Sequence, residues 1–295
     1  MIRPLGVLLI ALTAVGFISP ASSLDPVFVP DNDGTVGGVV GTYMNNASFR
    51  DTSGKKVMPG PYAAPTCVLL SAGQSNEGGE AATAYTPLHA DVYNFNPFDG
   101  IVYNAADPLL GASTFLPDGE VGYGSFLGRL ADGLLDATSC KSVILAPSAI
   151  GGSTIADWTT GVLAGRLPAV VNSLLSRGLR PTALLWGQGE TDCRSGTTTA
   201  AYRASGVALW ESVRATGWAG PIFIAQQSWT RGSGCTMITS AQASMVNPAV
   251  NIWAGPNNDA FGDAYRYDKV HFSDSGNVAR ALAWRGALYA YGPPF

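Results

Sequence analysis

Short apolar runs recur along the chain from Cys67 onward, and each run ends in a turn rich in glycine, serine or asparagine. The runs are Val68–Ala72, Ser142–Ala146, Thr182–Trp186, Pro221–Ala225 and Ala249–Trp253. Their hydrophobicity is continuous rather than alternating, which is typical of strands that are covered on both faces of a parallel sheet. The pattern therefore predicts a five-stranded parallel sheet.

Amphipathic segments lie between these runs, where the crossovers between parallel strands have to be. Stripes of leucine and valine at helical spacing mark residues 126–135 and 167–175, and further helices are predicted at 198–216 and 275–291. The alternation of strands with helices predicts an α/β fold, built as a three-layer α/β/α sandwich with right-handed crossovers. The sequence has no internal repeat, so residues 65–295 are predicted to form one domain.

The N-terminal residues have a different character from the rest of the chain. Arg3 precedes an apolar stretch from Leu5 to Ile18, and small residues follow at 21–23, so residues 1–23 are predicted to be a secretory signal peptide. The stretch is shorter than the roughly 20 residues that a membrane span needs, which disfavours an anchor. Residues 24–64, rich in Gly, Pro, Asn and Asp, are expected to form an irregular N-terminal arm. We expect a secreted protein that is not attached to a membrane after signal cleavage.

The net charge of the chain indicates which kind of ligand the protein binds. The chain carries 17 Lys and Arg against 21 Asp and Glu, a formal net charge of −4, and has no long basic run. It lacks the electrostatic footprint of a nucleic-acid-binding protein, so an uncharged ligand is expected. With two histidines and no C-x-x-C pair, the sequence predicts neither a metal site nor another cofactor.

The four cysteines fit an exported protein, in which disulfides form. An even count by itself permits three pairings. Cys67 and Cys140 each stand just before a predicted strand, the first and the second, and these strands are neighbours in the common doubly wound order. Cys193 and Cys235 follow the third and fourth strands, at the opposite edge of the sheet. We therefore predict the bonds Cys67–Cys140 and Cys193–Cys235.

The loops that follow the predicted strands hold the residues with catalytic potential. Ligands bind at the carboxyl ends of the strands in parallel α/β sheets, so these loops should meet. The candidates are Ser75, Gly151, Gly152, Gln188, Glu190, Asp268 and His271. An Asp three residues before a His can fold back onto the imidazole and leave the other ring nitrogen to accept a serine proton. The other histidine, His89, follows no strand and is interpreted as a surface or packing residue.

Each candidate also has an ordinary structural interpretation. Ser75 could cap a helix, the glycine pair could form a plain turn, and Glu190 could be a solvated carboxylate at a helix start. Trp158 and Trp229 could stack on a sugar ring or belong to the core. The order of the candidates along the chain favours an active site, because all of them reach one edge of the predicted sheet.

Taken together, the motifs resemble those of the SGNH hydrolases. They are most similar to the sialate O-acetylesterase-like branch, which includes the family six carbohydrate esterases and acetylxylan esterases. The matching stretches are Gly73–Asn76, Asp107–Leu109, Gly151–Trp158, Leu185–Asp192 and Asp268–Ser273. The resemblance implies a flavodoxin-like SGNH hydrolase fold for the domain.

The resemblance also implies roles for single residues. Ser75 matches the family nucleophile, and His271 matches its base. The oxyanion donors would be the backbone N–H groups of Ser75 and of Gly152, or of its neighbour Gly151. The side-chain amide of Gln188 would be the third donor.

One departure from the family pattern leaves the third member of the triad open. The wider superfamily has Gly-x-Asn-Asp after the third strand, whereas this chain has Gln188 and Gly189 there, followed by Glu190. Asp268 and Glu190 are therefore both candidates for orienting His271, and the three-residue spacing favours Asp268. The residues expected to contact the substrate are Gln74, Asn76 and Trp158.

The implied activity is that of a secreted serine esterase, a carboxylic ester hydrolase that removes O-acetyl groups from carbohydrate. Acetylated xylan or an acetylated sialic acid is the expected substrate, and no cofactor is required. Two other functions stay open: a non-catalytic glycan-binding module on a hydrolase fold, and a lipase or peptidase on the same scaffold. The presence of both Ser75 and His271 favours catalysis over binding alone.

Overall fold

The computed structural model describes residues 50–112 and 123–295. The predicted signal peptide, residues 1–23, lies outside the described residues, as do residues 24–49 of the predicted arm. Residues 50–64 of that arm contain no helix, and their one strand-like contact is an isolated bridge between Val57 and Tyr103. Within the two described ranges, no helix is both long enough and apolar enough to cross a membrane.

The described residues contain seven strands, all in one sheet. They are β1 Thr66–Gly73, β2 Val92–Asn96, β3 Ile101–Asn104, β4 Ser142–Pro147, β5 Ala183–Gly187, β6 Ile222–Gln226 and β7 Ile252–Asn257. The order across the sheet is β3-β2-β4-β1-β5-β6-β7. Neighbouring strands are parallel except for β2 and β3, which are antiparallel. The prediction of a purely parallel sheet of five strands is therefore wrong on both counts.

The five predicted strands correspond to β1, β4, β5, β6 and β7. Their order, β4-β1-β5-β6-β7, is the 2-1-3-4-5 order of doubly wound sheets. The direction of winding reverses at β1, and the crevice beyond the carboxyl end of a strand at such a switch point is where ligands bind. Ser75 lies two residues after the end of β1, so the fold places this serine next to that crevice.

The hairpin of β2 and β3 is the part of the sheet that the apolar pattern did not reveal. The two strands read Val-Tyr-Asn-Phe-Asn and Ile-Val-Tyr-Asn, so an asparagine interrupts the first apolar run and another ends the short second run. The buried Asn94 amide donates to the carbonyl oxygens of Phe95, Leu110 and Leu145, and its oxygen accepts from Leu110 N–H. A polar side chain can occupy a buried strand position when it is hydrogen-bonded in this way.

Eight α-helices accompany the sheet in the described part of the chain. They are α1 Ser75–Gly78, α2 Leu127–Ala137, α3 Ile155–Thr159, α4 Arg166–Ser176, α5 Glu190–Ser195, α6 Thr199–Arg214, α7 Thr236–Ser244 and α8 Asp274–Tyr291. Short 3-10 turns occupy Pro248–Val250, Asn258–Phe261 and Asp263–Tyr265. The four predicted helices correspond to α2, α4, α6 and α8. The crossover helix α7, between β6 and β7, was not predicted, and the short helices α1, α3 and α5 lie in the loops after β1, β4 and β5.

Hydrophobic side chains pack on both faces of the sheet. In β1, Val68 and Leu70 belong to a cluster that includes α4, α6 and α7. Cys67 and Leu69 belong to a second cluster, which includes α2 and α8. Successive side chains of a strand point to opposite faces, so this division shows helices packed against each face. The result is a mixed α/β fold whose central strands are apolar on both sides, as their continuous apolar runs predicted.

The last strand begins later than predicted. Residues 249–253 were expected to form it, but Pro248–Val250 is a 3-10 turn, and β7 begins at Ile252. Asn247 caps that turn by accepting from the N–H of Ala249, and Asn251 ends it in a left-handed conformation with φ +60°. The apolar residues at 249 and 250 are exposed on the turn rather than paired in the sheet.

One of the two predicted disulfides is present. The Cys67–Cys140 bond joins the start of β1 to the residue two positions before β4, with Cα atoms 5.7 Å apart. The second prediction is wrong for this structure, because Cys193 and Cys235 are free thiols. The loops do bring the two side chains together: burial first, and then the contact with Cys235, raises the pKa of the Cys193 thiol to about 12.

Candidate active site

Two glycines allow β1 and β5 to end in close contact. Gly73 has φ +138°, and a Cβ atom there would lie 2.0 Å from the carbonyl oxygen of Gly187. The N–H of Gln74 donates to the same carbonyl oxygen over 3.1 Å. Ser75 then begins α1, so its backbone N–H lies in a first helical turn, where no intrahelical acceptor exists. The Ser75 residue is 2% exposed.

Ser75, His271 and Asp268 form a continuous hydrogen-bonded chain. His271 Nε2 lies 3.0 Å from Ser75 Oγ, and His271 Nδ1 lies 2.7 Å from Asp268 Oδ2. The other carboxylate oxygen, Asp268 Oδ1, accepts from the backbone N–H groups of His271 at 2.6 Å and Val270 at 2.8 Å. Lys269 adopts φ +68°, which folds the loop tightly enough for Asp268 to reach back to the ring. The carboxylate thus holds the proton on Nδ1 and leaves Nε2 facing the serine hydroxyl.

The same contacts set the charges of the two side chains. Burial acts to raise the pKa of Asp268, but hydrogen bonds from His271 and from the backbone hold this pKa at about 2. Burial acts to lower the pKa of His271, but the hydrogen bond to Asp268 and the negative charges of Glu80, Asp268 and Glu190 outweigh it and raise the pKa. Asp268 therefore stays ionised, and the imidazolium form of His271 is stabilised.

Glu190 does not contact the His271 ring. Its buried carboxylate accepts from the side-chain amide of Asn76 over 2.7 Å. Asn76 also donates to Val270 O at 3.2 Å and accepts from Phe272 N–H at 3.3 Å, so it holds the residues on both sides of His271. The candidacy of Glu190 for the ring is corrected: it acts on the histidine loop through Asn76. The expected substrate contact of Asn76 is also corrected, because its side chain is buried and engaged within the protein.

Gln188 and Gln74 are buried and hydrogen-bonded to each other. The Gln188 amide nitrogen donates to Asp192 at 2.6 Å, to Ser153 O at 2.9 Å and to Gln74 Oε1 at 3.2 Å. The reverse orientation of this amide would set its oxygen against the Asp192 carboxylate, so the assignment is fixed. Its N–H groups are thus used inside the protein, which corrects its assignment as an oxyanion donor. Gln74 Oε1 likewise accepts from the backbone N–H groups of Gly189 and Thr191, each at 3.2 Å.

The two tryptophans of the strand-end loops have different environments. Trp158 is buried, donates from Nε1 to Ser153 Oγ over 2.9 Å, and packs edge-on against Trp186. It belongs to the core and does not contact substrate, which corrects that expectation. Trp229 is partly exposed, and its Nε1 donates to Asp263 over 2.7 Å.

Gly152 and His89 occupy positions in keeping with their predicted environments. Gly152 is partly exposed in the loop after β4 and has φ +72°, a conformation that glycine adopts readily. His89 is exposed and lies 2.9 Å from Asp136, as expected for a surface residue. Across residues 50–112 and 123–295, no group of three or more His, Cys, Asp or Glu side chains is arranged to hold a metal ion.

Three buried charged residues near Ser75 were not singled out in the sequence. Glu80 Oε2 lies 3.3 Å from His271 Nε2, on the side of the ring that faces the serine. Glu77 of α1 forms an ion pair with Arg280 of α8, and Arg280 also donates to Asn76 O over 2.7 Å. Nothing in the local sequence marks these residues, because their partners lie about 200 positions away.

Comparisons with known proteins show which family the chain belongs to. A family model described as "Carbohydrate esterase, sialic acid-specific acetylesterase" matches residues 65–285. No curated protein sequence matches the chain. Among solved structures, a protein from Arabidopsis thaliana is 16% identical with a TM-score of 0.59, covering 76% of this chain and 97% of its own.

Two further solved structures share the fold. NanS is 13% identical with a TM-score of 0.55, covering 80% of this chain and 99% of its own. A carbohydrate acetylesterase from Xanthomonas citri is 19% identical with a TM-score of 0.52, covering 76% of this chain and 56% of its own. The family match spans most of the chain, including every residue of the Ser75 site. The chain therefore belongs to the carbohydrate esterase family of sialic acid-specific acetylesterases, and is a carboxylic ester hydrolase.

Proposed function

We propose that this protein is a secreted serine esterase that removes O-acetyl groups from carbohydrate, with Ser75 as nucleophile and His271 as base. Asp268 orients the imidazole and stays ionised. The observation that carries the proposal is the chain of short contacts, 3.0 Å from Ser75 Oγ to His271 Nε2 and 2.7 Å from His271 Nδ1 to Asp268. Nucleophile, base and orienting carboxylate within hydrogen-bond reach are the requirement for acyl transfer through a covalent intermediate.

In the first step, Ser75 Oγ attacks the acetyl carbon while its proton passes to His271 Nε2. The carbonyl electron pair moves onto oxygen to give a tetrahedral oxyanion. The oxyanion collapses as the C–O bond to the sugar breaks, and Nε2 returns the proton to the sugar oxygen. Water then repeats the sequence on the acetyl-serine, which yields acetate and the free enzyme.

The proposed oxyanion donors are the backbone N–H groups of Ser75 and Gly152. Ser75 N–H lies in the first turn of α1, without an intrahelical acceptor, and Gly152 is partly exposed in the neighbouring loop. Donors fixed by the backbone stabilise developing charge without reorganising. Gln188 is left out of this group because its amide is bonded to Asp192 and Ser153.

The proposed substrate is an acetylated carbohydrate, either a sialic acid or a polysaccharide such as xylan. The family description and the fold shared with the Xanthomonas citri carbohydrate acetylesterase support an ester of a sugar. The Cys67–Cys140 disulfide supports an oxidising, extracytoplasmic location for the mature chain. N-terminal sequencing of exported protein should then find a start near residue 24.

The deciding measurement is acetate release from O-acetylated sialic acid and from acetylated xylan, compared with hydrolysis of long-chain esters. Ser75→Ala serves as the blank, because it removes the nucleophile and little packing. Acetate release that disappears in Ser75→Ala is the expected result. Sugar binding without acetate release would favour a glycan-binding module, and preference for long acyl chains would favour a lipase.

A further inference from the structure

Glu80 places a second carboxylate against His271. Glu80 is fully buried and lies two positions after the end of α1. Its Oε2 atom is 3.3 Å from His271 Nε2. The same Nε2 faces Ser75 Oγ at 3.0 Å. Asp268 occupies the opposite ring nitrogen, Nδ1. The imidazole therefore lies between two carboxylates, one at each nitrogen.

Backbone contacts fix Glu80 relative to both the nucleophile and the base. Its N–H donates to Ser75 O over 3.3 Å, and its carbonyl accepts from the Tyr267 hydroxyl over 3.2 Å. Two residues on, the N–H of Ala82 donates to Phe272 O, next to His271. The segment that carries Glu80 is thus bonded to the nucleophile turn and to the histidine loop at once.

Other titratable groups around His271 come from several elements of the fold. They are Arg266, Tyr267 and Asp268 on the histidine loop, Glu77 on α1, Glu190 on α5 and Arg280 on α8. Arg266 donates to the Val270 carbonyl, and Glu190 is bonded to Asn76. Arg280 pairs with Glu77. Asp268 is held at Nδ1, so Glu80 is the described carboxylate that lies at the nitrogen where the serine proton is received.

We propose that Glu80 stabilises the imidazolium that forms when Ser75 gives its proton to His271. The inference rests on the proposed function and adds a residue to it. When Oγ bonds to the acetyl carbon, its proton moves to Nε2 and the ring becomes positive between Glu80 and Asp268. The proton leaves again with the sugar oxygen, so the step leaves no proton on Glu80. A carboxylate shielded from water interacts with such a charge more strongly than an exposed one.

The arrangement has a consequence for the resting enzyme. Two carboxylates favour the protonated ring, and the pKa of His271 is raised, although burial opposes the shift. A protonated Nε2 cannot accept from Ser75, so activity is lost as the pH falls through this raised pKa. The acid limb of kcat/KM, which reports groups of the free enzyme, should therefore lie above the pH expected for an ordinary histidine.

The test is an NMR titration of the two histidine rings in the wild type and in Glu80→Gln. The chain has only His89 and His271, so His89 serves as an internal reference. Loss of the Glu80 charge should lower the pKa of His271 by about one unit and leave that of His89 unchanged, in line with the effect of a charge within 4–6 Å. Glu211→Gln, on the exposed face of α6, is the matched control and should shift neither ring.

Kinetics then test the catalytic part of the inference. In Glu80→Gln the acid limb of kcat/KM should move to lower pH with the ring titration, and the plateau should fall roughly 3- to 10-fold because the base is weaker. An unchanged His271 titration overturns the inference, even if activity falls. If Glu80→Gln does not fold, Glu80→Asp should shift the ring in the same direction by less, and no shift there overturns it too. If Glu80→Gln shifts the His271 titration but the wild-type protein releases no acetate, the contact between Glu80 and His271 is supported and the proposed esterase function is rejected.

Discussion

At the scale of single residues, the carboxylate that orients His271 is the assignment with the sharpest test. Asp268→Asn removes the charge that holds the Nδ1 proton, and should lower kcat by roughly 10⁴-fold, as in serine hydrolase triads. Glu190→Gln should cost about tenfold or less, because Glu190 reaches the histidine loop only through Asn76. The two near-isosteric variants are compared by kcat on one acetyl ester. A larger loss for Glu190→Gln would reverse the assignment.

Gln188 offers a second test at this scale. Its amide bonds Asp192, Ser153 and Gln74 in the interior, so Gln188→Ala leaves buried polar groups without a partner. We expect a loss of about 1–3 kcal/mol of unfolding free energy, measured by urea denaturation. A fall in kcat of roughly 10²–10³-fold at unchanged stability would instead make Gln188 an oxyanion donor.

The sequence predicted the positions of these residues at the strand ends better than it predicted the environment of each side chain. The spacing of Asp268 and His271 predicts their contact, because three residues of loop suffice to fold the carboxylate back onto the ring. Gln188 and Trp158 were expected in the substrate site, since both follow strands at the functional edge. Position along a strand end does not reveal whether a side chain points outward or inward, and both point into the core.

At the scale of elements, the close approach of β1 and β5 governs where the nucleophile stands. Gly73→Ala would set a methyl group 2.0 Å from Gly187 O in a backbone conformation that disfavours side chains. The two strand ends must separate, so we expect a lower Tm together with a lower kcat. Gly286→Ala is the control, because a Cβ there has nothing within 4 Å and alanine favours its helix, α8. Unchanged activity in Gly73→Ala would show that the contact does not position Ser75.

The elements themselves were predicted unevenly. Strands covered on both faces form unbroken apolar runs in the sequence, which is why β1, β4, β5 and β6 were located correctly. The hairpin of β2 and β3 escaped because Asn94 and its neighbours are satisfied by backbone groups that only the folded chain supplies. The start of β7 was misplaced because the first apolar residues of the run, 249 and 250, belong to the 3-10 turn Pro248–Val250.

At the scale of the whole molecule, one buried ion pair connects α8 to α1, the helix that begins at Ser75. Arg280 pairs with Glu77, donates to Asn76 O, and lies over the rings of Phe126 and Phe272 at 4.3 and 4.5 Å. Arg280→Met leaves the Glu77 carboxylate buried without its cation, which should cost about 3–5 kcal/mol of unfolding free energy and lower activity with it.

Denaturation of three variants tests that role of the pair. Adding Glu77→Gln to Arg280→Met should recover part of the lost stability, because the uncompensated charge is then gone. Arg285→Met, on the same helix but only half-buried, is the control and should change stability little. Equal losses in the Arg280 and Arg285 variants would mean that the pair does not fasten α8.

The long sequence distance within the site has a consequence for the chain while it is being made. Ser75 and His271 are 196 positions apart, and a ribosome adds roughly 5–20 residues per second. Ser75 therefore emerges roughly 10–40 s before His271, the base that we propose for it. Arg280, which steadies the serine's turn, follows later still. Under the proposed mechanism a nascent chain therefore carries an inert serine hydroxyl, and no hydrolase forms until β7 has joined the sheet and α8 has packed against it.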